Sequence, residues 1–185
     1  MTAPGVRHTL PLPAPAPARQ TTSAEFRSVM ATLPTGVAIV TVTGADGRPY
    51  GMTCSTVSSV AVAPPTLLVC LRSASPTCQA VLARGGFTVN LLHRGAQSAA
   101  ELFASGAPDR FDRIGWDTAP DGAGPQLTEH AHAVLDCDLA RSLEVADHHV
   151  VIGTVRASRR LGSEPPLLYG FRRYSAWQDP GHRAG

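Results

Sequence analysis

Lysine is missing from this chain of 185 residues, and all 16 of its basic side chains are arginine. Without an ε-amine there is no Schiff-base chemistry and no lysine for a Walker-type phosphate loop. The 4 cysteines stand singly at Cys54, Cys70, Cys78 and Cys137. They form no C-x-x-C pair and have no companion histidines at zinc-finger spacing, which favours buried free thiols over a metal site or a redox dithiol. No apolar run approaches the ~20 residues of a membrane span, and no basic segment followed by an apolar stretch opens the chain. A net charge of +2 on scattered arginines offers no polyanion-binding tract. The expectation is a cytoplasmic protein that engages neither nucleic acid nor membrane.

What is present is a hydrophobic fraction of 43%, enough for one domain with a core of its own. Residues 1–21 contain a Pro-Ala repeat with little side chain to bury and read as a disordered tail. A single domain is expected over 22–178, with a short C-terminal tail at 179–185. Thr22 and Glu25 have capping-box spacing, and Phe26, Val29, Met30 and Leu33 recur on one face of the helix that Pro34 ends.

From Gly36 onward the pattern is that of strands. Val37–Thr43 leads through an Asp46-Gly47 turn into 48–53, followed by 55–62, the Pro64-Pro65 stop, and 66–72. A short helix should follow, with Ser75 as N-cap, Pro76 at its first position and Gly85-Gly86 as terminator. Phe87, Val89 and Leu91 alternate with Thr88 and Asn90, the pattern of a half-buried strand. A helix is expected at 96–104, a long loop at 105–126, and strands at 131–142, 148–160 and 167–177. Many short strands with few helices and no βαβ alternation predict a mainly β barrel.

The hydroxyl-rich run Thr53, Cys54, Ser55, Thr56, Val57, Ser58 and Ser59 before Pro64-Pro65, the earlier Thr35-Gly36-Val37-Ala38, and Ala146-Asp147-His148 before an apolar strand together resemble the flavin reductase domain family. These are NAD(P)H:flavin oxidoreductases that serve two-component monooxygenases. The resemblance covers roughly 26–177 and implies a split β-barrel with a few short helices. It also implies hydride transfer from NADH or NADPH to FMN (preferred) or FAD, a homodimer, and a flavin-dependent monooxygenase as recipient of the reduced flavin. This chain has Cys54 where the family has asparagine, Val57 where it has an aromatic, and Ala146 where it has glycine.

For the flavin ring, backbone N–H groups of Thr35, Gly36, Val37 and Ala38 and of Thr53 to Thr56 are candidates, since glycine permits close approach. For its phosphate, Arg72 and Ser73 precede a helix N-terminus at Ser75 and Thr77 that favours an anion. The Ser59 hydroxyl is a further donor candidate on the same run; the resemblance adds Phe87, Asn90, Gln97 and Tyr174 around the cofactor and places His148 near the nicotinamide, with Asp147 in an orienting or structural role. Phe87 reads equally as core. Hydride transfer needs alignment and no protein nucleophile, consistent with the lack of any triad or acid pair. His130 and His132 have no evident third metal ligand. Two other readings stay open: a barrel that retains its flavin and acts on an organic substrate, with 105–126 as a lid, and a non-enzymatic flavin- or haem-binding barrel.

Overall fold

The computed structural model describes residues 20–178. Apart from Gln20 and Thr21, the two expected tails lie outside these residues. Helix α1 (Ser23–Met30) starts at the expected capping box, in which Thr22 Oγ1 accepts from Glu25 N–H and the Glu25 carboxylate accepts from Thr22 N–H. Its apolar face is left uncovered: Phe26, Val29, Met30 and Leu33 are all exposed.

Among the described residues, ten strands form two antiparallel sheets. The larger has the order β3-β2-β6-β7-β8-β5-β4, with β2 at Ala38–Thr43, β3 at Pro49–Cys54, β4 at Val57–Val62, β5 at Pro65–Arg72, β6 at Gly86–Leu92, β7 at Ala131–Val145 and β8 at His148–Arg160. The smaller pairs β1 (Thr35–Gly36) with β9 (Leu167–Gly170), and β9 with β10 (Arg173–Ala176). Helices α2 (Pro76–Arg84) and α3 (Gln97–Ser105) complete the fold. The mainly β expectation holds. The large sheet curls until Cys54 Sγ of β3 stands 3.7 Å from Cys70 O of β5, yet its edges β3 and β4 are not hydrogen-bonded to each other among the described residues.

Period-2 alternation divides the core in two. Val40 and Val42 of β2 join Val69, Leu71, Val81, Phe87 and Val89 on one side of the sheet. Ile39 faces the other way, toward Leu92, Phe103, Phe111, Leu127 and Leu167. Strand β6 departs from its half-buried expectation, because Thr88 and Asn90 are fully buried as well. The second half of the long loop covers them. Gly124 N–H donates to Thr88 Oγ1 at 3.0 Å and Leu127 N–H to Asn90 Oδ1 at 2.8 Å. A side chain at Gly124 would meet Val42 Cα at 2.5 Å, so this part of the loop is packed against the sheet rather than poised above it as a lid.

The single strand expected at 167–177 is two strands joined by a tight turn in which Phe171 and Arg172 take φ of 52° and 58°. Neither residue is a usual occupant of that conformation, so the sequence carries no turn signal there. Thr35 and Gly36, which precede the first expected strand, form a short strand of their own and pair with Tyr169 and Leu168.

Candidate active site

The site grows from the free edge of β3. In an antiparallel strand the N–H and C=O of one residue point to the same side, and successive residues alternate. Gly51 C=O points away from β2 and accepts from Arg110 Nε at 3.0 Å, so Thr53, two residues on, presents its N–H and C=O along the same edge. Thr53 Oγ1 donates to Ala100 O of α3 at 2.6 Å, while on the other side Ser75 Oγ donates to Met52 Sδ at 3.5 Å. Strand β3 is thus held between α3 and the N-terminus of α2.

A cleft of about 570 Å³ runs along this edge. Gly51 to Thr56 line it. Arg72, Ser75, Pro76 and Thr77 flank it on one side; Phe103 to Gly106 and Arg110 flank it elsewhere, and His148 also borders it. Its lining holds two arginines and a histidine and no acidic residue, a composition suited to an anion.

The α2 terminus is built as the sequence indicated. Ser75 caps it by accepting from Cys78 N–H at 3.1 Å, and Pro76 occupies the first turn. Gln79 N–H is taken by Ser75 O, Cys78 N–H by the Ser75 hydroxyl, and Pro76 has none to offer, which leaves Thr77 N–H as the first-turn donor without a partner among the described residues. Ser73 lies just behind, its Oγ buried without a hydrogen-bond partner among the described residues and its N–H donating to Asp147 O at 2.9 Å.

Strand pairing sets Arg72 opposite His148. Asp147 Oδ1 lies 2.8 Å from His148 Nδ1. That hydrogen bond, and then the charge of His148, hold the Asp147 carboxyl below its usual range. An ionised carboxylate only accepts, so Nδ1 carries the hydrogen and a neutral His148 keeps Nε2 as its acceptor. The turn that presents the pair holds Ala146 at φ 52°, a conformation that glycine adopts at no steric cost.

The remaining candidates lie elsewhere. Gly36, Val37 and Ala38 line a second, apolar cavity of about 270 Å³ with Val57, Leu91, Leu92, His132, Pro166 and Leu167. Thr35 and Tyr174 belong to the small sheet, where the Tyr174 ring packs edge-on to Tyr169 with centroids 5.1 Å apart. Ser59 faces solvent on β4. Phe87 is fully buried against Gly153, whose Cβ would lie 2.6 Å from its Cζ, and so has no route to a ligand in either cavity. Asn90 is fully buried, donating to Ile39 O at 3.1 Å and accepting from Leu127 N–H. Gln97 is exposed and donates to Glu101 Oε1 at 2.8 Å. These placements fit structural roles for Phe87 and Asn90 and leave Gln97 outside the cleft.

Arg110, Phe103 and the Ser105-Gly106 cap were not singled out from the sequence. Only the fold brings Arg110 to Gly51, 59 positions away in the chain. Among the described residues no group of three or more His, Cys, Asp or Glu side chains is arranged to hold a metal ion.

A family model described as "Flavin reductase like domain" matches residues 30–178. A flavin reductase (NADPH) from Lentzea aerocolonigenes is 43% identical over 166 residues, 89% of this chain and 96% of the relative. The NADH:FAD oxidoreductase of Streptomyces globisporus, solved with NAD and FAD fragments, superposes with a TM-score of 0.79 at 30% identity, over 86% of this chain and 94% of that one. The styrene monooxygenase flavin reductase from Pseudomonas putida gives a TM-score of 0.75 at 26% identity, over 84% of this chain and 98% of that one. Sequence and architecture thus agree, and the chain belongs to the flavin reductase-like domain family.

Proposed function

We propose that this protein uses NADH or NADPH to reduce free flavin, with FMN preferred over FAD, and delivers the reduced flavin to a separate monooxygenase. The observation that carries the reading is the acid-free cleft, which joins a strand edge to a capped helix N-terminus beside Arg72. Its donor set fits a flavin. The outward N–H and C=O of Thr53 match the polar edge of an isoalloxazine, Met52 and Phe103 give apolar surface, and Arg72 with Thr77 N–H suits a terminal phosphate. The unpartnered Ser73 hydroxyl behind that corner favours a further polar contact there.

A flavin bound in this cleft supplies the hydride-accepting ring. The protein's part is to align and to exclude water. His148, fixed by Asp147, orients the nicotinamide carboxamide from the rim through Nε2. Thr53 anchors the strand through its hydroxyl to Ala100 O while its backbone faces the ligand. The cited relatives' names, one a NADPH enzyme, one a NADH:FAD enzyme and one a monooxygenase reductase, support the reaction class and the kind of recipient.

We read the curled sheet as a split barrel and the working form as a homodimer. The uncovered α1 face and the edge strand β4, with Val60 and Val62 exposed, support a second copy as their cover. The test is oxidation of NADH and NADPH by the purified protein with FMN, FAD, riboflavin or no flavin, together with its mass in solution. Turnover that saturates with FMN supports the reading. Flavin retained through gel filtration, without turnover of added flavin, would instead indicate the retained-cofactor barrel.

A further inference from the structure

We propose that the groove between loop residues 117–120 and one face of the β7–β8 pair is a second ligand site, built for a small zwitterion of the α-amino-acid class with an apolar side chain. It shares no lining residue with the cleft and does not depend on how the cleft is read. Its volume is about 370 Å³, enough for such a ligand. Strand period puts Val134 and Asp136 on the same face of β7, and the register sets Arg159 opposite Val134 and Ala157 opposite Asp136. Asp136 is only 5% exposed, and Gln126, brought over it by the loop, only 4%. Gln126 is interposed between two opposite charges. Its Nε2 donates to Asp136 Oδ2 at 2.9 Å, and its Oε1 accepts from Arg159 Nη2 at 2.8 Å. Thr88 Oγ1 donates to the other carboxylate oxygen, Asp136 Oδ1, at 2.5 Å. Among the described residues neither Asp136 nor Arg159 has an ion-pair partner. The other acid of the groove, Asp117, is exposed and accepts from Thr128 Oγ1 at 2.6 Å.

A pin that fastens the loop to the sheet accounts for these hydrogen bonds, but neutral side chains would make them at a lower desolvation cost. It does not account for a buried anion and a cation held one carboxamide apart on the wall of a groove, each without a counter-charge. Each carboxylate oxygen keeps a second lone pair, and Arg159 has donors left over. An ammonium against Asp136 and a carboxylate against Arg159 would answer both charges at once, with the Gln126 amide as the spacer between them. Val134, Ala119, Pro120 and Ala157 supply apolar surface for the ligand's side chain. A simple amine or a simple anion satisfies only one end.

The test is isothermal titration calorimetry of the full chain with L-leucine and L-phenylalanine, each beside the amine and the acid that lack one of its charges: isopentylamine and isocaproate, phenethylamine and hydrocinnamate. At least one amino acid should bind with a Kd in the millimolar range or tighter, and its two analogues about 10-fold more weakly. Arg159→Gln, which keeps a donor toward Gln126 but removes the charge, should weaken the amino acid about 10-fold and leave the affinity for the amine unaltered. Asp136→Asn should weaken the amine as well. Arg159 is exposed, so its variant decides the question even if the buried Asp136→Asn fails to fold, and a far-ultraviolet circular dichroism spectrum equal to that of the wild type establishes the fold of each. No binding of either amino acid, or binding that Arg159→Gln leaves unchanged, overturns the proposal and makes the cluster a structural pin only. An amine or acid that binds as tightly as its amino acid overturns it too, by showing that one charge suffices.

Discussion

Phe103 lies so close to Gly51 that a Cβ on the glycine would stand 2.9 Å from Phe103 Cε1. The same ring is packed edge-on against Phe111, with centroids 5.0 Å apart, and both rings border Arg110. Gly51→Ala should therefore displace this wall of the cleft and destabilise the fold by about 1–3 kcal/mol, the usual range for overpacking. Urea unfolding would measure the loss, and a Cm equal to that of the wild type would refute the close packing.

The hydrogen bond between Asp147 and His148 at the rim gives the proposed division of roles a test. Asp147→Asn should lower kcat/KM for NADH about 10-fold while leaving KM for flavin within about 2-fold, the pattern of an orienting residue. His148→Ala should do at least as much. Because His148 lowers the Asp147 pKa, the carboxylate form is favoured in the folded state, and its stabilising contribution is present above the unfolded value of 3.8 and lost as pH falls through the lower folded value. Nicotinamide use should show no inflection from Asp147 between pH 5 and 8. A carboxyl-like inflection there, absent in Asp147→Asn, would contradict the assignment.

Ala146 holds a left-handed conformation that costs an L-residue roughly 1–2 kcal/mol. Replacing it with glycine removes the steric cost but adds unfolded-chain entropy, for a net gain of about 0.5–1 kcal/mol. That corresponds to a rise in Tm of roughly 1–4 °C for a domain of this size. Differential scanning calorimetry of Ala146→Gly decides the matter, and a lower Tm would count against the turn geometry.

Burial, assisted by the charges of Asp136 and Asp138, pushes the Cys137 thiol from 9.0 up to about 12. Between those values the folded state keeps a proton that the unfolded state has released, so stability falls as pH rises above 9, by up to about 1.4 kcal/mol per pH unit. Cys137→Ala should flatten the slope of the urea midpoint between pH 9 and 10.5. An unchanged slope would locate the alkaline sensitivity elsewhere.

The thiols also report on the cleft. Cys54 and Cys70 both line it, but Cys70 is partly exposed, whereas Cys54, Cys78 and Cys137 are buried. A thiol reagent should label Cys70 first, and saturating FMN should slow that labelling. Unprotected labelling would place the flavin away from β5.

Local rules made a good part of this protein readable from its residues. Thr22 with Glu25, Ser75 with Pro76, and Gly85 with φ 75° each obey constraints that span at most a turn of chain, and each lies where the pattern puts it. The Asp46-Gly47 turn and the strands around it are of the same kind. The Asp147-His148 turn was legible through family resemblance, although the residues alone would pass for a surface cap.

Tertiary structure decided what lies across the chain. Asn90 looks like the outward face of a half-buried strand until Leu127, 37 residues later, folds over it and takes its side-chain oxygen. Thr35 to Ala38 and Thr53 to Thr56 read as one cradle, yet β1 pairs with β9 while β3 keeps a free edge, so the two segments open on different cavities. Arg110 gave no signal because an arginine in a loop has no local pattern. Its position depends on Gly51 lacking a side chain and on two phenylalanines closing around that gap, a relation fixed by packing between segments distant in sequence.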